Sequence, residues 1–386
     1  MYIPNLQNNL DRIEIFYSFV HASSTTYSHV KTDCIMNYFP ERLKAARKMK
    51  GFSLQELSDA VNSKWNKQFL NRLEAGEAKP DSEILSSLSK ALDVTNDYFF
   101  REVSVSLEDI RFRKLKKLPA KEQEKVIHKT MEYLERYLEL ENLLGIDTAI
   151  SFKPKNKKIN KPEDVEQAAS DLRKLWGIGN DAIFNVIEML EEHHIKVLPL
   201  VVDTAFSGMS TIIKNSVAVA VLNDSIEIPI VRKRFTALHE LAHLYLDLSA
   251  FDEKESEKLC DKFAGAMLLP AEKLKQYFGN KRTQVIMKEL YMIASDYGIS
   301  LAAIMYRALN LDIISPAYHK FFMINYNRYK TKEKEFGVYS GKEESDRFLQ
   351  LLIKAVAEEV ISTSKAAALN NQKLGDFREI LDNSVA

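Results

Sequence analysis

The segment Arg232–Leu248, RKRFTALHELAHLYLDL, carries the most informative pattern of the chain. His239 and His243 are four residues apart, so on a helix their side chains point from the same face. Two neutral imidazoles at this spacing can bind one zinc ion, and Glu240 can act as the general base for the attacking water. Because the flanking residues are apolar, burying these three polar groups is costly unless a metal satisfies them. The segment therefore predicts a helical zinc site.

A catalytic zinc ion needs a third protein ligand, and several carboxylates follow the histidines. They are Asp247, Asp252, Glu253, Glu255, Glu257 and Asp261. Asp247 lies one turn too far along the same helix to complete the site, and we expect it to accept a hydrogen bond from a ligand instead. Glu257 and Asp261 share one face of the next predicted helix, and their spacing alone does not choose between them.

The run SEKLCDKFAGAMLLP, Ser256–Pro270, together with RFTALHELAHLYL before it, resembles the ImmA/IrrE family of metallopeptidases. The resemblance extends over about Asp164–Leu311. It implies a zinc cofactor, zinc endopeptidase activity of the gluzincin type and Glu257 as the third ligand. Many relatives carry another Glu at the position of Leu259. We expect Cys260 to be a thiol packed between helices rather than a ligand.

The segment Val217–Leu222, VAVAVL, alternates large residues with alanine, which is compatible with an edge strand. An edge strand beside the active helix could hold an extended substrate by main-chain pairing, and we assign this role to Val217–Leu222. The transition-state oxyanion also needs a donor besides zinc. Arg234, Tyr297 and His319 are the candidates, and the sequence does not choose among them.

Between Pro40 and Phe100 the sequence predicts four or five short helices separated by turns. Gly51 and Gly76 end the first and third helices. Ser53 and Glu56 form the sequence signature of a capping box at the start of the second helix. A fourth helix is expected after Pro80-Asp81. This density of short amphipathic helices predicts a small all-α domain.

The runs LKAARKMKGFSLQELSDAV and FLNRLEAGEAKPDSEILSSLSKALDV in this domain resemble the lambda-repressor/Cro-like (XRE) helix-turn-helix family. The resemblance implies that the third helix enters the major groove of DNA. The expected contacts with bases or phosphates are made by Gln55, Lys67, Gln68, Asn71 and Arg72. The turn Asn62–Asn66 is longer than usual in the family and carries Trp65. The alternative is a four-helix bundle that binds protein.

The sequence divides into five parts, each with a different pattern. They are a disordered or upstream extension at 1–35, with Met36 as an alternative start; the helix-turn-helix domain at 36–102; a connecting helix and linker at 103–160; the zincin-like domain at 161–315; and a helical C-terminal region at 316–386. We expect one helix from near Pro119 to Leu144 and a linker at Lys153–Pro162. The predicted fold is mostly α, with a small β-sheet only in an α+β peptidase domain.

Composition excludes some functions. The chain holds 54 basic and 54 acidic residues, so any surface that binds nucleic acid must be a local patch. The basic run Arg111–Lys117 is either such a patch or a solvated helix start. Cys34 and Cys260 cannot build a disulfide framework. No apolar stretch reaches the length of a membrane helix. The sequence predicts a cytoplasmic protein without a membrane partner.

Two functions from different classes fit these patterns. In the first, a DNA-binding regulator carries a zinc endopeptidase that cleaves a repressor-type or antitoxin-type protein, or itself, in a stress or mobile-element response. In the second, the peptidase fold is a metabolite or metal sensor within a transcription regulator and has little proteolytic activity. The expected partners are double-stranded DNA, a protein substrate and a second copy of the chain. An intact Glu240 favours the first function, because a sensor does not require it.

Overall fold

The computed structural model describes residues 38–104, 118–203, 206–213, 216–328 and 339–383. The predicted N-terminal extension, Cys34 and the basic run Arg111–Lys117 lie outside these ranges. The chain separates into two compact units, Met1–Val103 and Ser104–Ala386.

The described part of the first unit consists of short helices around one apolar core. They are α1 (Phe39–Lys50), α2 (Leu54–Ala60), α3 (Lys67–Glu74), α4 (Ser82–Leu92) and a 3-10 helix (Asn96–Phe100). Leu43, Leu57, Leu70 and Leu88 are completely buried. The core therefore takes at least one leucine from each of the four α-helices, as the amphipathic pattern predicts.

Side-chain caps start three of these helices. The hydroxyl of Ser53 accepts the N–H of Glu56, whose carboxylate accepts the N–H of Ser53 at 2.6 Å, so the predicted capping box is present. Asn66 caps α3 and Asp81 caps α4 in the same manner. Because these caps satisfy N–H groups that lack a partner within the helix, they fix where each helix begins.

The described part of the second unit contains more helices and two small sheets. In chain order the elements are α5 (Ala120–Leu143), β1 (Lys157–Lys158), α6 (Asp164–Leu175), α7 (Val186–Glu192), β2 (Ile195–Leu200), β3 (Gly208–Ile213), β4 (Val217–Asn223), α8 (Ile230–Tyr245), β5 (Leu246–Asp247), α9 (Glu253–Leu268), α10 (Ala271–Phe278), α11 (Met287–Tyr297), α12 (Leu301–Asn310), α13 (Pro316–Arg328), α14 (Arg347–Ala357), α15 (Thr363–Leu369) and α16 (Leu374–Asn383). Helices predominate, and the predicted fold class is confirmed.

The larger sheet has the order β2-β4-β3, with β4 parallel to β2 and antiparallel to β3. The prediction that Val217–Leu222 is an edge strand is therefore wrong. Every residue of β4 is buried, because both faces of the strand are covered. Its valines contact one layer and its alanines the other, so the alternation reflects two packed faces instead of one solvated face.

Helix α5 covers the valine face of the sheet. Its residues Val126 and Leu134 pack against side chains of all three strands, including Met209 of β3 and Val219 of β4. The sequence predicts a connecting helix here, whereas in the structure this helix is a layer of the second unit. The amphipathic stripe of α5 is buried against the sheet, which explains the helical periodicity that the sequence shows.

The segment predicted as a linker, Lys153–Pro162, also belongs to the second unit. Lys157 and Lys158 form a short parallel strand with Leu246 and Asp247, immediately after α8. Ile159, the one large apolar residue in the segment, is completely buried. Polar composition alone gives no sign of this pairing, since the partner strand is about 90 residues away in the sequence.

The C-terminal helices α14 to α16 pack on the other end of α5. Leu352 and Phe377 are buried against Tyr137 and Leu140 of α5. The guanidinium of Arg136 donates to the carbonyl of Leu369 at 2.7 Å. The predicted helical C-terminal region therefore packs, through α14 to α16, against α5 of the same chain. None of the helices in the described part of the chain is long and apolar enough to cross a membrane.

A buried ion pair fastens the segment before α14 to α8. Glu343 pairs with Arg234, and both side chains are shielded from solvent. The second carboxylate oxygen of Glu343 accepts the N–H groups of Val186 at 3.0 Å and Ile187 at 3.3 Å, so it also caps α7. Burial raises the pKa of the Glu343 carboxyl, whereas Arg234 and the two N–H groups act to lower it.

Removing this carboxylate should destabilise the second unit. Glu343→Ala leaves the Arg234 charge buried with one partner fewer, and breaking a buried pair in this way typically costs about 3–5 kcal/mol. Glu344→Ala is the control, because the Glu344 side chain forms an exposed pair with Lys342 and its backbone carbonyl, which accepts from Asn185, is kept in alanine. Calorimetry of the full chain should show a lower unfolding temperature for Glu343→Ala alone. Equal unfolding temperatures for the two variants would contradict this role of Glu343.

Candidate metal centre and nucleic-acid surface

Helix α8 presents the predicted site residues on two of its faces. His239 and His243 point toward α9, and their ring centroids are 4.9 Å apart. Glu240 points toward the sheet and is only 2% exposed. The N-cap is Pro229, which lacks an N–H group and so fits the first turn of a helix. The helix therefore presents two half-buried imidazoles on one face and a buried carboxylate on another.

Helix α9 supplies the carboxylate that faces the histidines. One oxygen of Glu257 lies 3.3 Å from Nε2 of His239, and the other lies 3.3 Å from Nε2 of His243. The two Nε2 atoms are 3.1 Å apart. The Asp252 side chain accepts the Glu255 N–H at 2.7 Å and starts this helix, which fixes where Glu257 falls along it. The structure thus brings His239, His243 and Glu257 together at one point.

The opposite edge of each imidazole also has a contact on α9. Nδ1 of His239 lies 2.8 Å from a carboxylate oxygen of Asp261, and Nδ1 of His243 lies 3.6 Å from Sγ of Cys260. The expectation that Asp247 has this role is not met, because its carboxylate accepts the N–H of Ser249 in the turn after β5. Glu257, Cys260 and Asp261 are three and four residues apart, so they share one helix face.

Cys260 also belongs to a second possible ligand set. Ligand atoms of His239, His243 and Cys260 lie within 4.8 Å of one another, and the thiol is completely buried. However, Sγ contacts Nδ1 of His243, whereas the Nε2 atom of that ring faces His239 and Glu257. An imidazole binds one metal ion through one nitrogen. Metal binding by His239, His243 and Cys260, the thiol set, would therefore require a flip of the His243 ring.

The sheet side of α8 contains a contact that the sequence does not reveal. The Ser210 hydroxyl on β3 lies 2.8 Å from a carboxylate oxygen of Glu240 and 3.0 Å from its carbonyl oxygen. In the sequence, a serine at this position carries no recognisable signal of such a contact. Strand β3, one of the two edge strands of the described sheet, packs beside α8 and so brings Ser210 to Glu240.

Gly208 at the start of β3 allows the strand to approach α8. A Cβ atom at this position would lie 2.7 Å from Cγ2 of Thr236 and 3.1 Å from the carbonyl oxygen of Val221. The backbone conformation is not left-handed, so the requirement is space rather than backbone freedom. The missing side chain brings β3, and with it Ser210, close to the helix that carries Glu240.

The three candidates for an oxyanion donor have other contacts. Arg234 is completely buried, and its guanidinium donates to the carbonyls of Ile183, Gly298 and others besides pairing with Glu343. Tyr297 packs edge-on against Tyr277, and the buried His319 packs against Tyr306. Burial raises the pKa of Tyr297 and lowers that of His319. Arg234 is thus a structural residue, since its donors are turned to the backbone.

In the first unit, all five residues predicted to contact DNA are exposed. They are Gln55, Lys67, Gln68, Asn71 and Arg72. Gln55 donates to Asp59 one turn later at 2.9 Å. The opposite side of α3 is fixed by Arg47, which binds the two carboxylate oxygens of Glu74 at 2.6 and 2.8 Å. Helix α3 is therefore held from behind while its polar face remains accessible.

The long turn between α2 and α3 is well defined. Asn62 and Ser63 adopt left-handed backbone conformations. The Ser58 hydroxyl donates to the carbonyl of Trp65 at 2.8 Å, and the indole packs against the core of the unit. The long turn Asn62–Asn66 is thus packed against the unit, and its residue Trp65 contributes to the apolar core.

Comparisons with known protein families agree with the helical fold of the first unit and the candidate metal centre of the second. Residues 43–99 match the helix-turn-helix family model, and residues 229–309 match the model of the IrrE N-terminal-like domain, peptidase family M78. The chain therefore joins an XRE-type helix-turn-helix domain to an ImmA/IrrE-like peptidase domain, and the predicted combination is confirmed. The second match covers α8, α9 and the helices up to α12.

Among curated proteins, the chain is similar to an SPbeta prophage-derived uncharacterized HTH-type transcriptional regulator YonR of Bacillus subtilis (strain 168). The two are 36% identical over 63 residues, which are 16% of this chain and 56% of the relative. The chain thus spans little more than half the length of this relative.

Proposed function

We propose that the second unit is a zinc-dependent endopeptidase in which His239, His243 and Glu257 bind the metal and Glu240 is the general base. One observation carries the proposal: two imidazole Nε2 atoms and a carboxylate converge at 3.1–3.3 Å beside the helix that carries the buried Glu240. Two histidines with a glutamate and one open position form a ligand set of catalytic zinc sites.

Electrostatics supports a cation at this point. An ionised Asp261 can only accept a hydrogen bond, so Nδ1 of His239 carries the proton and Nε2 presents a lone pair. When Nδ1 of His243 donates its proton to the Cys260 sulfur in the same way, Nε2 of His243 presents a second lone pair. Two lone pairs and a carboxylate that face one another repel unless a cation lies between them. A zinc ion satisfies all three groups.

Zinc, when bound, polarises the scissile carbonyl and makes a nucleophile available at neutral pH. The protein supplies the remaining chemistry. Glu240 is buried on the same helix and follows His239 in the sequence; in this proposal it accepts the proton of the attacking water, then delivers it to the leaving amine. Asp261 and Cys260 orient the two imidazoles from behind, as outer partners of metal ligands do. Glu257 supplies the negative charge that the two neutral histidines lack.

The substrate backbone is expected to pair with β3. This strand lies at the edge of the sheet as the structure describes it, and it runs beside α8. An extended peptide added to an edge gains main-chain hydrogen bonds without requiring a particular sequence. Strand β3 thus replaces β4 in the role that the sequence assigns to Val217–Leu222.

We propose that the first unit binds double-stranded DNA through α3. The support is the match to the helix-turn-helix family and the exposed amides and cations at Gln68, Asn71 and Arg72. Amide side chains can pair with adenine, and arginine can pair with guanine or phosphate. Helix-turn-helix proteins commonly bind two half-sites as dimers, so we expect two copies of the chain on one operator.

The two units in one chain suggest the substrate class. A peptidase tethered to a DNA-binding domain is held near other proteins on DNA, where its local concentration is high. We therefore propose that it cleaves a helix-turn-helix regulator of the repressor or antitoxin type, including another copy of this chain. Cleavage would then remove a regulator from its operator in response to stress or mobile-element activity in the cytoplasm.

Zinc binding should depend strongly on Glu257 and less on Asp261. Glu257→Ala removes one ligand and should abolish tight binding, whereas Asp261→Asn should weaken binding about 10- to 100-fold, as for other outer partners. Glu253→Ala, on the exposed start of α9, is the matched control. A chelator competition titration measures the affinities. If Cys260→Ser loses the metal while Glu257→Ala retains it, the thiol set is the correct one.

Proteolysis should require Glu240. Zinc-loaded wild-type chain is mixed with a labelled Glu240→Gln chain as substrate, and separately with fluorescein-labelled casein. We expect the wild type to cleave at least the first substrate, and Glu240→Gln to retain zinc but lose about 10²–10⁴-fold in rate. If both forms are equally inert and zinc changes only their affinity for DNA, the second unit is a sensor and the peptidase proposal fails.

DNA binding should depend on Arg72. Arg72→Ala should weaken binding by about 1–3 kcal/mol and relax the sequence preference, provided that the guanidinium contacts a base. Lys90→Ala on α4 removes an exposed cation from the same unit and serves as the control. Selection of sites from random DNA followed by affinity measurement gives both quantities. Unchanged affinity and preference in Arg72→Ala would place the interface elsewhere.

A further inference from the structure

The side chain of Ser210 on β3 contacts Glu240 on α8. Its hydroxyl lies 2.8 Å from the carboxylate and 3.0 Å from the carbonyl oxygen of the same residue. A hydroxyl carries a single proton, which it donates to either oxygen or shares between them. The contact joins the edge strand to α8 at the residue that the proposed reaction uses as a base.

The burial of Glu240 makes this contact consequential. With only 2% of its surface exposed, the carboxylate has little access to water for hydrogen bonds. A buried polar group needs partners within the protein, and a hydrogen bond to a charged group is stronger than one between neutral groups. A glutamate side chain also has three rotatable bonds, and a partner limits the orientations it samples. The hydroxyl can therefore fix where the carboxylate points.

We propose that Ser210 is a positioning residue for the reaction: its hydroxyl holds the Glu240 carboxylate in the orientation that accepts the proton of the attacking water. This inference rests on the proposed peptidase function. Ser210 touches neither the zinc ligands nor the reacting atoms, and it acts only through Glu240.

The position of Ser210 on β3 gives the contact a second consequence. Ser210 is in register with Ala220 on β4, near the middle of the edge strand. The same strand that we expect to bind the substrate backbone therefore also holds the base. A shift of β3 along α8 would therefore disturb both the substrate and the hydrogen bond to the carboxylate.

The test compares three variants of the full-length, zinc-loaded chain, with the labelled Glu240→Gln chain and labelled casein as substrates. Ser210→Ala should lower kcat roughly tenfold or more, though less than Glu240→Gln, with KM and zinc content unchanged. Ser210→Thr keeps a hydroxyl on the same carbon and should restore most of kcat. Ser207→Ala is the control, because the Ser207 hydroxyl contacts Arg232 and not Glu240; it should behave as wild type.

Thermal unfolding tests the contact without proteolysis. Ser210→Ala should lower the unfolding temperature by about 3 °C in the wild-type background and by less when Glu240 is already alanine, since the bond to the carboxylate is then absent and only the bond to the backbone carbonyl remains. An equal drop in both backgrounds overturns the contact with the carboxylate. A wild-type kcat in Ser210→Ala overturns the positioning role even if the contact exists. A wild-type chain that cleaves neither substrate instead identifies the proposed function as the part that fails.

Discussion

The buried guanidinium of Arg234 is the interaction on which the arrangement of the second unit depends. It lies on α8 one turn before His239 and binds backbone carbonyls from the loops before α7 and after α11, together with Glu343 from the segment before α14. Because a buried cation without partners is very unfavourable, these three segments can hardly move apart while α8 is folded. The helix that carries two of the proposed zinc ligands is thus fixed by residues far away in the sequence.

The sequence predicts those parts of the site that lie within one helix. The spacing of His239, Glu240 and His243 places each side chain because α-helical geometry is regular, and the helix boundaries follow from local signals such as the capping box at Ser53. The resemblance of Ser256–Pro270 to a known family adds Glu257. The contacts of Ser210, Cys260 and Glu343 could not be predicted, because each depends on how separate elements pack, and no local pattern marks it.

Both edges of each imidazole are used, and this follows from the pairing of two helices. On α8 the histidines are four residues apart. On α9 the facing residues Cys260 and Asp261 come three and four residues after Glu257, so one turn of α9 lies opposite one turn of α8. Glu257 consequently meets the Nε2 edges while Cys260 and Asp261 meet the Nδ1 edges. One packed interface between two helices thus sets both the proposed ligands and their outer partners.

The features that mislead the sequence interpretation are those that allow the site to form. The alanines of VAVAVL look like weak strand formers, yet in β4 they line the face that packs with α8, where larger side chains would push the helix away. Gly208 also weakens the strand signal of β3, yet a Cβ atom there would collide with Thr236. Small residues on both strands let the sheet approach α8 closely, so that a serine hydroxyl on β3 can reach a buried glutamate on the helix. The local propensity of these strands is low because their tertiary contacts require small side chains.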